Sequence, residues 1–178
     1  GIDIAGGEWF YFVRSNVVLR ENVLSEFSKS INEHKNTIAF MGSIMYRSKD
    51  LAFQNYLNSF KRGVNRYKHH EKIHYKCLLF GNSIIRSEAF KKFQLNQQMR
   101  HYGGEELDLA EKIYLYYQKP IRACKRACAV RVGHPAFEDH CNRIEAFGQY
   151  NFQYMSLKNQ KLVLGRGFYL KKLKFLSF

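Results

Sequence analysis

No stretch of this sequence approaches the roughly 20 consecutive apolar residues that a membrane-spanning helix needs. The segment from Gly1 to Val13 also lacks the basic leader and small-residue cleavage site of a secretory signal. Cytoplasmic placement is the expectation that follows. Acidic residues are scarce, 15 Asp and Glu against 29 Lys and Arg, which leaves a formal net charge of +14. Such a surplus predicts an anionic partner, whether nucleic acid, an acidic membrane surface or a phosphorylated small molecule. No recognised nucleic-acid-binding motif accompanies the charge, so nucleic acid is not expected as the partner. Hydrophobic residues at 46% and aromatics at 16% exclude a disordered tail. At 178 residues the chain has room for one domain with a core and little more.

Cysteines are few: Cys77, Cys124, Cys128 and Cys141. Without a secretion signal they read as reduced thiols. Cys124 and Cys128 fall in a segment whose pattern is extended, where four residues span roughly 13 Å. That is too far for one disulfide or one metal ion. His134, His140 and Cys141 follow closely in the sequence, so a zinc alternative stays open.

Apolar spacing divides the chain into alternating strands and helices. Glu8 to Val13 is an apolar, aromatic run of strand type, and Arg20 to Ile31 carries Val23, Leu24, Phe27 and Ile31 at helical spacing. Thr37 to Tyr46 reads as a strand, with Gly42 as a bulge or point of close approach. Leu51 to Phe60 is helical, and Gly63 to Lys76, polar and rich in basic residues and histidine, reads as an exposed loop. Ser83 to Arg86 is a short strand leading into a helix that starts near Ser87. A helix from Glu105 to Tyr117 follows Gly103-Gly104, with Leu109, Ile113 and Tyr116 as its buried stripe and Pro120 ending it. Ile121 to Val132 reads as a strand and Phe137 to Tyr150 as a helix. The fold class expected is α/β.

Glu105, Glu106 and Asp108 open the Glu105 helix behind two glycines. Carboxylates in a first turn complement the positive end of the helix dipole, and that alone accounts for them as capping residues. A glycine pair also lets a ligand approach the backbone closely. A carboxylate placed there serves as a general base when a substrate hydroxyl comes within hydrogen-bond reach.

Four segments in order give the chain its resemblance to a known family. Ala5-Gly6-Gly7-Glu8-Trp9-Phe10-Tyr11-Phe12-Val13-Arg14-Ser15-Asn16 is a glycine-led apolar strand ending in a polar corner. Gly81-Asn82-Ser83-Ile84-Ile85-Arg86 enters a helix, and Gly103-Gly104-Glu105-Glu106-Leu107-Asp108 opens the next one. Val130-Arg131-Val132-Gly133-His134 is a strand ending in histidine. This order is similar to the second half of family 2 glycosyltransferases, from the central strand through Gly148. The resemblance implies a partial GT-A-like mixed sheet flanked by helices. It also implies transfer of a sugar, with inversion, from a nucleotide-diphosphate donor to a hydroxyl of a glycan or lipid-linked acceptor, in polysaccharide synthesis. Glu106 stands at the position of the family's catalytic base, with Glu105 before it. Arg14 and Asn16 stand where the family has the two carboxylates of its metal-binding D-x-D. A divalent cation, Mn or Mg, is the implied cofactor, and Asn16 and His134 are its candidate ligands here. Arg14 either contacts the donor phosphates directly or faces solvent at the strand end. A non-catalytic relative that binds glycan or nucleotide is the alternative reading.

The Gly1-Ile2-Asp3-Ile4-Ala5 start reads like the middle of a family domain, so the nucleotide-binding first half is expected to precede Gly1. Residues 1–150 are assigned to the acceptor-side part of the transferase domain and 151–178 to a basic, apolar C-terminal extension. The tail from Arg166 to Phe178 is a candidate for peripheral contact with the inner face of a membrane.

Overall fold

In the computed structural model, which describes residues 4–165 and 167, the aromatic run behind Gly6-Gly7 forms β1 (Trp9–Val13). A turn closed by the Val17 N–H donating to the Arg14 carbonyl at 3.0 Å leads into β2 (Val17–Leu19). The helical spacing after it becomes α1 (Val23–Glu33), which buries Val23 and Phe27. Next come β3 (Ala39–Ser48) and α2 (Leu51–Leu57), the latter capped by Asp50, whose Oδ1 accepts from the Phe53 N–H at 2.9 Å. Then follow β4 (Lys72–Ile73), β5 (Asn82–Arg86), α3 (Ser87–Lys92) and α4 (Glu105–Tyr117). The chain ends in β6 (Ile121–His134), α5 (Phe137–Ala146), which runs on through a π turn at Phe147–Asn151, and α6 (Leu157–Leu164).

The six strands form one mixed sheet in the order β1-β5-β3-β6-β2, with β4 beside β6. β5 runs antiparallel to both β1 and β3, while β3 and β6 are parallel, so the C-terminal ends of β1, β3 and β6 lie along one edge. Helices cover both faces. Phe40 and Ile84 pack with Val23 and Phe27 of α1. Their strand neighbours Ala39, Met41 and Ile85 alternate to the other face and meet Leu109 and Ile113 of α4. The expected α/β class with a mixed, helix-flanked sheet is what forms. Among the described residues no helix is long and apolar enough to cross a membrane.

One irregularity shapes the molecule. Gly42 pairs with Cys124 but Ser43 pairs with Cys128, so Lys125, Arg126 and Ala127 bulge out of β6. A bulge bends its strand and increases the local twist. Beyond it β6 carries β2 on its outer side, with Val17 opposite Arg131. β1 and β2 are the two ends of the sheet order, yet a single turn joins them, so the sheet must curl until its edges meet at Arg14–Val17.

Three sequence expectations change. Gly63 to Lys76 is not simply an exposed loop: it contributes β4 and buries Val64, Ile73 and Tyr75, because apolar residues between its charges reach the core. Tyr116 is 58% exposed instead of completing the α4 stripe. Four residues beyond Ile113 the stripe falls on Tyr117, which packs on the core. Residues 151–165 fold onto α4, burying Asn151, Met155 and Asn159. The Arg166–Phe178 membrane-contact tail lies outside the described residues apart from position 167.

Candidate functional site

The C-terminal ends of parallel strands are where an open α/β sheet leaves a crevice for a ligand. A cavity of about 210 Å³ opens there in this molecule. Arg14 from the end of β1, Tyr46 from β3, Arg131 and His134 from β6, and Glu106 from the first turn of α4 line it. Tyr102, Arg62 and His140 complete the polar part of the wall.

Arg14 and Glu106 are the centre of the arrangement. Arg14 Nη2 donates to Glu106 Oε1 at 2.7 Å, and the carboxylate side chain is only 13% exposed. Burial works against the Arg14 cation, but the charge and hydrogen bond of Glu106 outweigh it and hold the guanidinium above its ordinary pKa. Glu106 is presented by a backbone that only glycine adopts easily: Gly103 and Gly104 have φ of +92° and +95°. Asn151 ties this loop down, its Nδ2 donating to the carbonyls of His101 at 2.7 Å and Gly103 at 2.8 Å.

The other guanidiniums are held with donors to spare. Arg62 lies over the Tyr56 ring at 4.2 Å, and its Nη1 is buried without a hydrogen-bond partner. The Nε of Arg131 is likewise buried and unpartnered. Burial and the neighbouring Arg14 charge lower the Arg131 pKa. His134 sits edge-on to Tyr46 at 5.1 Å and 6.0 Å from the His140 ring. Neither of its ring nitrogens has a partner. Burial, then the Arg131 and His140 charges, push its pKa down to about 4, and burial followed by Arg62 lowers that of His140. Both rings are therefore neutral near pH 7.

The sequence-predicted residues divide. Arg14, Glu106 and His134, separated by up to 120 positions, share one cavity. Glu105 does not line it, although its charge is felt by Arg14 and its Oε2 is buried without a partner. Asn16 is not among the lining residues either; its backbone carbonyl accepts from the Val132 N–H at 3.0 Å in the turn that joins the sheet edges. Arg62, Arg131, Tyr102 and Tyr46 were not foreseen as site residues, and His140 was expected only in the zinc alternative. Of the unforeseen residues only Arg131 carried a signal, since it lies in the segment singled out for His134.

A divalent cation does not suit this donor set. Three guanidiniums face a single carboxylate, which is already paired, and Asn16 is not among the lining residues. The groups fit an anion instead: buried N–H donors without partners seek acceptor oxygens, and guanidinium matches phosphate geometry. The zinc alternative around the cysteines also loses its geometry. Among the described residues no cysteine joins two further Cys, His, Asp or Glu ligand atoms within 4.8 Å of one another, and all four cysteines are free of disulfides. No protein-family model matches the chain, and no curated protein matches it.

Proposed function

We propose that this chain is the acceptor-side part of a GT-A-like, family 2-type glycosyltransferase in which guanidiniums take over the electrostatic task of the metal. The observation that carries the reading is one cavity at the strand C-termini where Arg14, Arg62 and Arg131 face Glu106. Its volume of about 210 Å³ suits the diphosphate end of a donor, being smaller than the roughly 300–1,000 Å³ that encloses a whole drug-sized ligand. In the proposed reaction an acceptor hydroxyl attacks the anomeric carbon of the donor sugar. The bond from that carbon to the diphosphate oxygen breaks, and the nucleoside diphosphate leaves with the electron pair. Glu106 takes the hydroxyl proton on Oε2, the oxygen not engaged by Arg14. Arg62 and Arg131 neutralise the departing diphosphate through their unpartnered donors.

The Arg14–Glu106 contact also favours a second reading, a non-catalytic binder of nucleotide or glycan, because a carboxylate clamped by a guanidinium is a weakened base. Calorimetry with UDP and GDP, in EDTA and then in manganese, tests the anion site. Binding of comparable affinity in both is expected, with at least a tenfold loss on Arg131→Ala. Binding that requires manganese overturns the metal-free site. A radiolabelled transfer assay with nucleotide-sugars and glycan acceptors then separates the transferase from the binder.

A further inference from the structure

At the opposite end of the β3–β6 pair, three side chains converge that have no part in the cavity. Glu33 ends α1, His34 is its C-cap residue, and His70 comes from the loop before β4. One ligand atom from each lies within 4.8 Å of the others. The register places the two regions apart: the His70 N–H bonds to Ala123, which pairs with Met41, whereas His134 pairs with Ser48. Seven strand steps separate those positions, roughly 23 Å at about 3.3 Å per residue.

His70 is held with unusual completeness. Its φ of +63° is rare for a residue with a side chain, and the surroundings fix it there. The N–H donates to the Ala123 carbonyl at 2.7 Å, and Arg122 Nη1 donates to the His70 carbonyl at 2.7 Å. Ser30 Oγ lies 2.8 Å from Nε2. That hydroxyl is fully buried, meets the Glu26 carbonyl at 2.8 Å and lies 3.1 Å from Cys124 Sγ; with its proton on the carbonyl it accepts from His70. In that tautomer Nε2 carries the hydrogen and Nδ1 presents its lone pair. Nδ1 points at Glu33 Oε2, 3.3 Å away. A metal ion placed between the Nδ1 lone pair and the carboxylate is held by both, in the place of the proton they share in the metal-free pair.

The spacing matches a metal. Bonds of about 2.0–2.1 Å to a tetrahedral ion set neighbouring ligands about 3.4 Å apart. His34 lies edge-on to His70 with ring centroids 4.5 Å apart, so small side-chain rotations close the third contact. The C-terminal end of a helix dipole attracts positive charge, and the last turn of α1 holds no basic residue. Arg122, the guanidinium beside the loop, is committed to the His70 carbonyl and to Thr37 Oγ1 at 3.2 Å.

We propose that Glu33, His34 and His70 form a binding site for a zinc-class divalent transition metal, with Ser30 orienting the His70 ring. Two imidazoles and a carboxylate select zinc, cobalt or nickel over magnesium and calcium, which want oxygen alone. Three protein ligands leave a fourth position for water. The bound ion joins the loop before β4 to the end of α1.

The test is calorimetry of the EDTA-stripped, reduced full chain with zinc chloride. One equivalent is expected, with affinity at least 100-fold lower in the double variant His34→Gln/His70→Gln and about tenfold lower in Ser30→Ala. His134→Gln and Cys141→Ser should leave it unchanged. Cobalt uptake by the unaltered chain gives a readout that needs no variant: visible bands of a low-coordinate ion with no thiolate charge-transfer band. Absence of stoichiometric uptake, undiminished zinc binding in the double variant, or a thiolate band each overturns the site; the first would leave Glu33 and His70 as a simple ion pair.

Discussion

Arg14 and Glu106, 92 residues apart in sequence, meet at 2.7 Å where the first strand ends and the fourth helix begins. Among the lining residues of this arginine-rich cavity, Glu106 is the carboxylate: it repels a phosphate, and in the proposed reaction it takes the acceptor proton. The two roles separate on mutation. Glu106→Gln should lower sugar transfer by about 10²–10⁴-fold, the usual worth of a general base. The same change should leave nucleoside-diphosphate affinity equal or raise it, since a negative charge is removed. Arg14→Ala should weaken both. Transfer kinetics beside UDP calorimetry measure the split, and retention of full turnover by Glu106→Gln would remove it as the base.

Neutral His134 and His140 make folding sensitive to acid. Their pKa values are depressed in the fold, that of His134 to about 4, whereas an unfolded chain titrates histidine near 6.5. Between those values the unfolded state binds more protons, so stability is complete above about pH 6.5 and falls as the pH drops toward 4. Each such proton contributes a slope of at most about 1.4 kcal/mol per pH unit. Melting temperatures from pH 7 to pH 4 should decline in the wild type and decline less in His134→Gln. Equal slopes would mean that His134 is not the group responsible.

Much of this is legible in the residues alone. The α4 bounds follow from Gly104 before it and Pro120 after it, two positions where backbone chemistry overrides context. Gly42 was readable as a close-approach point because a glycine inside an apolar strand has few other uses. β2 and β4 were not legible, since three- and two-residue strands carry too little alternation to register and exist only through pairing with β6. Arg62 and Arg131 were hidden for a different reason. Among 29 basic residues nothing local distinguishes a guanidinium aimed into a cavity from one in solvent; the bulged β6 and the turn after α2 make that choice. His70 likewise looked like one histidine in a basic loop, because its left-handed backbone depends on partners distant in sequence.

Asn82 fastens the bend in the sheet, and Gly42 makes room for it. Asn82 Nδ2 donates to the carbonyls of Ser43 and Ala127, both at 2.9 Å, while Oδ1 accepts from the Tyr11 hydroxyl at 2.9 Å. A Cβ on Gly42 would stand 2.4 Å from Asn82 Nδ2 and 2.6 Å from the Ala127 carbonyl oxygen. Gly42→Ala should therefore cost about 2–4 kcal/mol, because neither neighbour can yield without breaking the clamp. Asn82→Ala should cost about as much, since it leaves the buried Ala127 carbonyl and the half-buried Ser43 carbonyl and Tyr11 hydroxyl without this partner. Urea unfolding checks both, and a loss below about 0.5 kcal/mol for either would show that the bulge is held by other contacts.

Gly104 and Asn151 decide where Glu106 points, so their substitution should act on function more than on fold. At φ +95° a side chain is strained, and a Cβ on Gly104 would lie 2.8 Å from Phe147 Cε2. The ring can swing aside, which limits the stability loss of Gly104→Ala to about 1–2 kcal/mol. The first turn of α4 would nevertheless shift, and a misplacement near an ångström can reduce turnover by about 100-fold. Asn151→Ala should behave alike, since it frees the carbonyls of His101 and Gly103 that the amide now holds. Gly148→Ala is the control, with nothing within 4 Å of the added carbon and no left-handed backbone to strain. The expected pattern is a large fall in the rate of sugar transfer for the first two variants with nucleotide affinity nearly kept, and no change for the third. Equal loss of nucleotide binding and turnover in Gly104→Ala would mean that the loop shapes the anion cavity itself and does not merely aim its base.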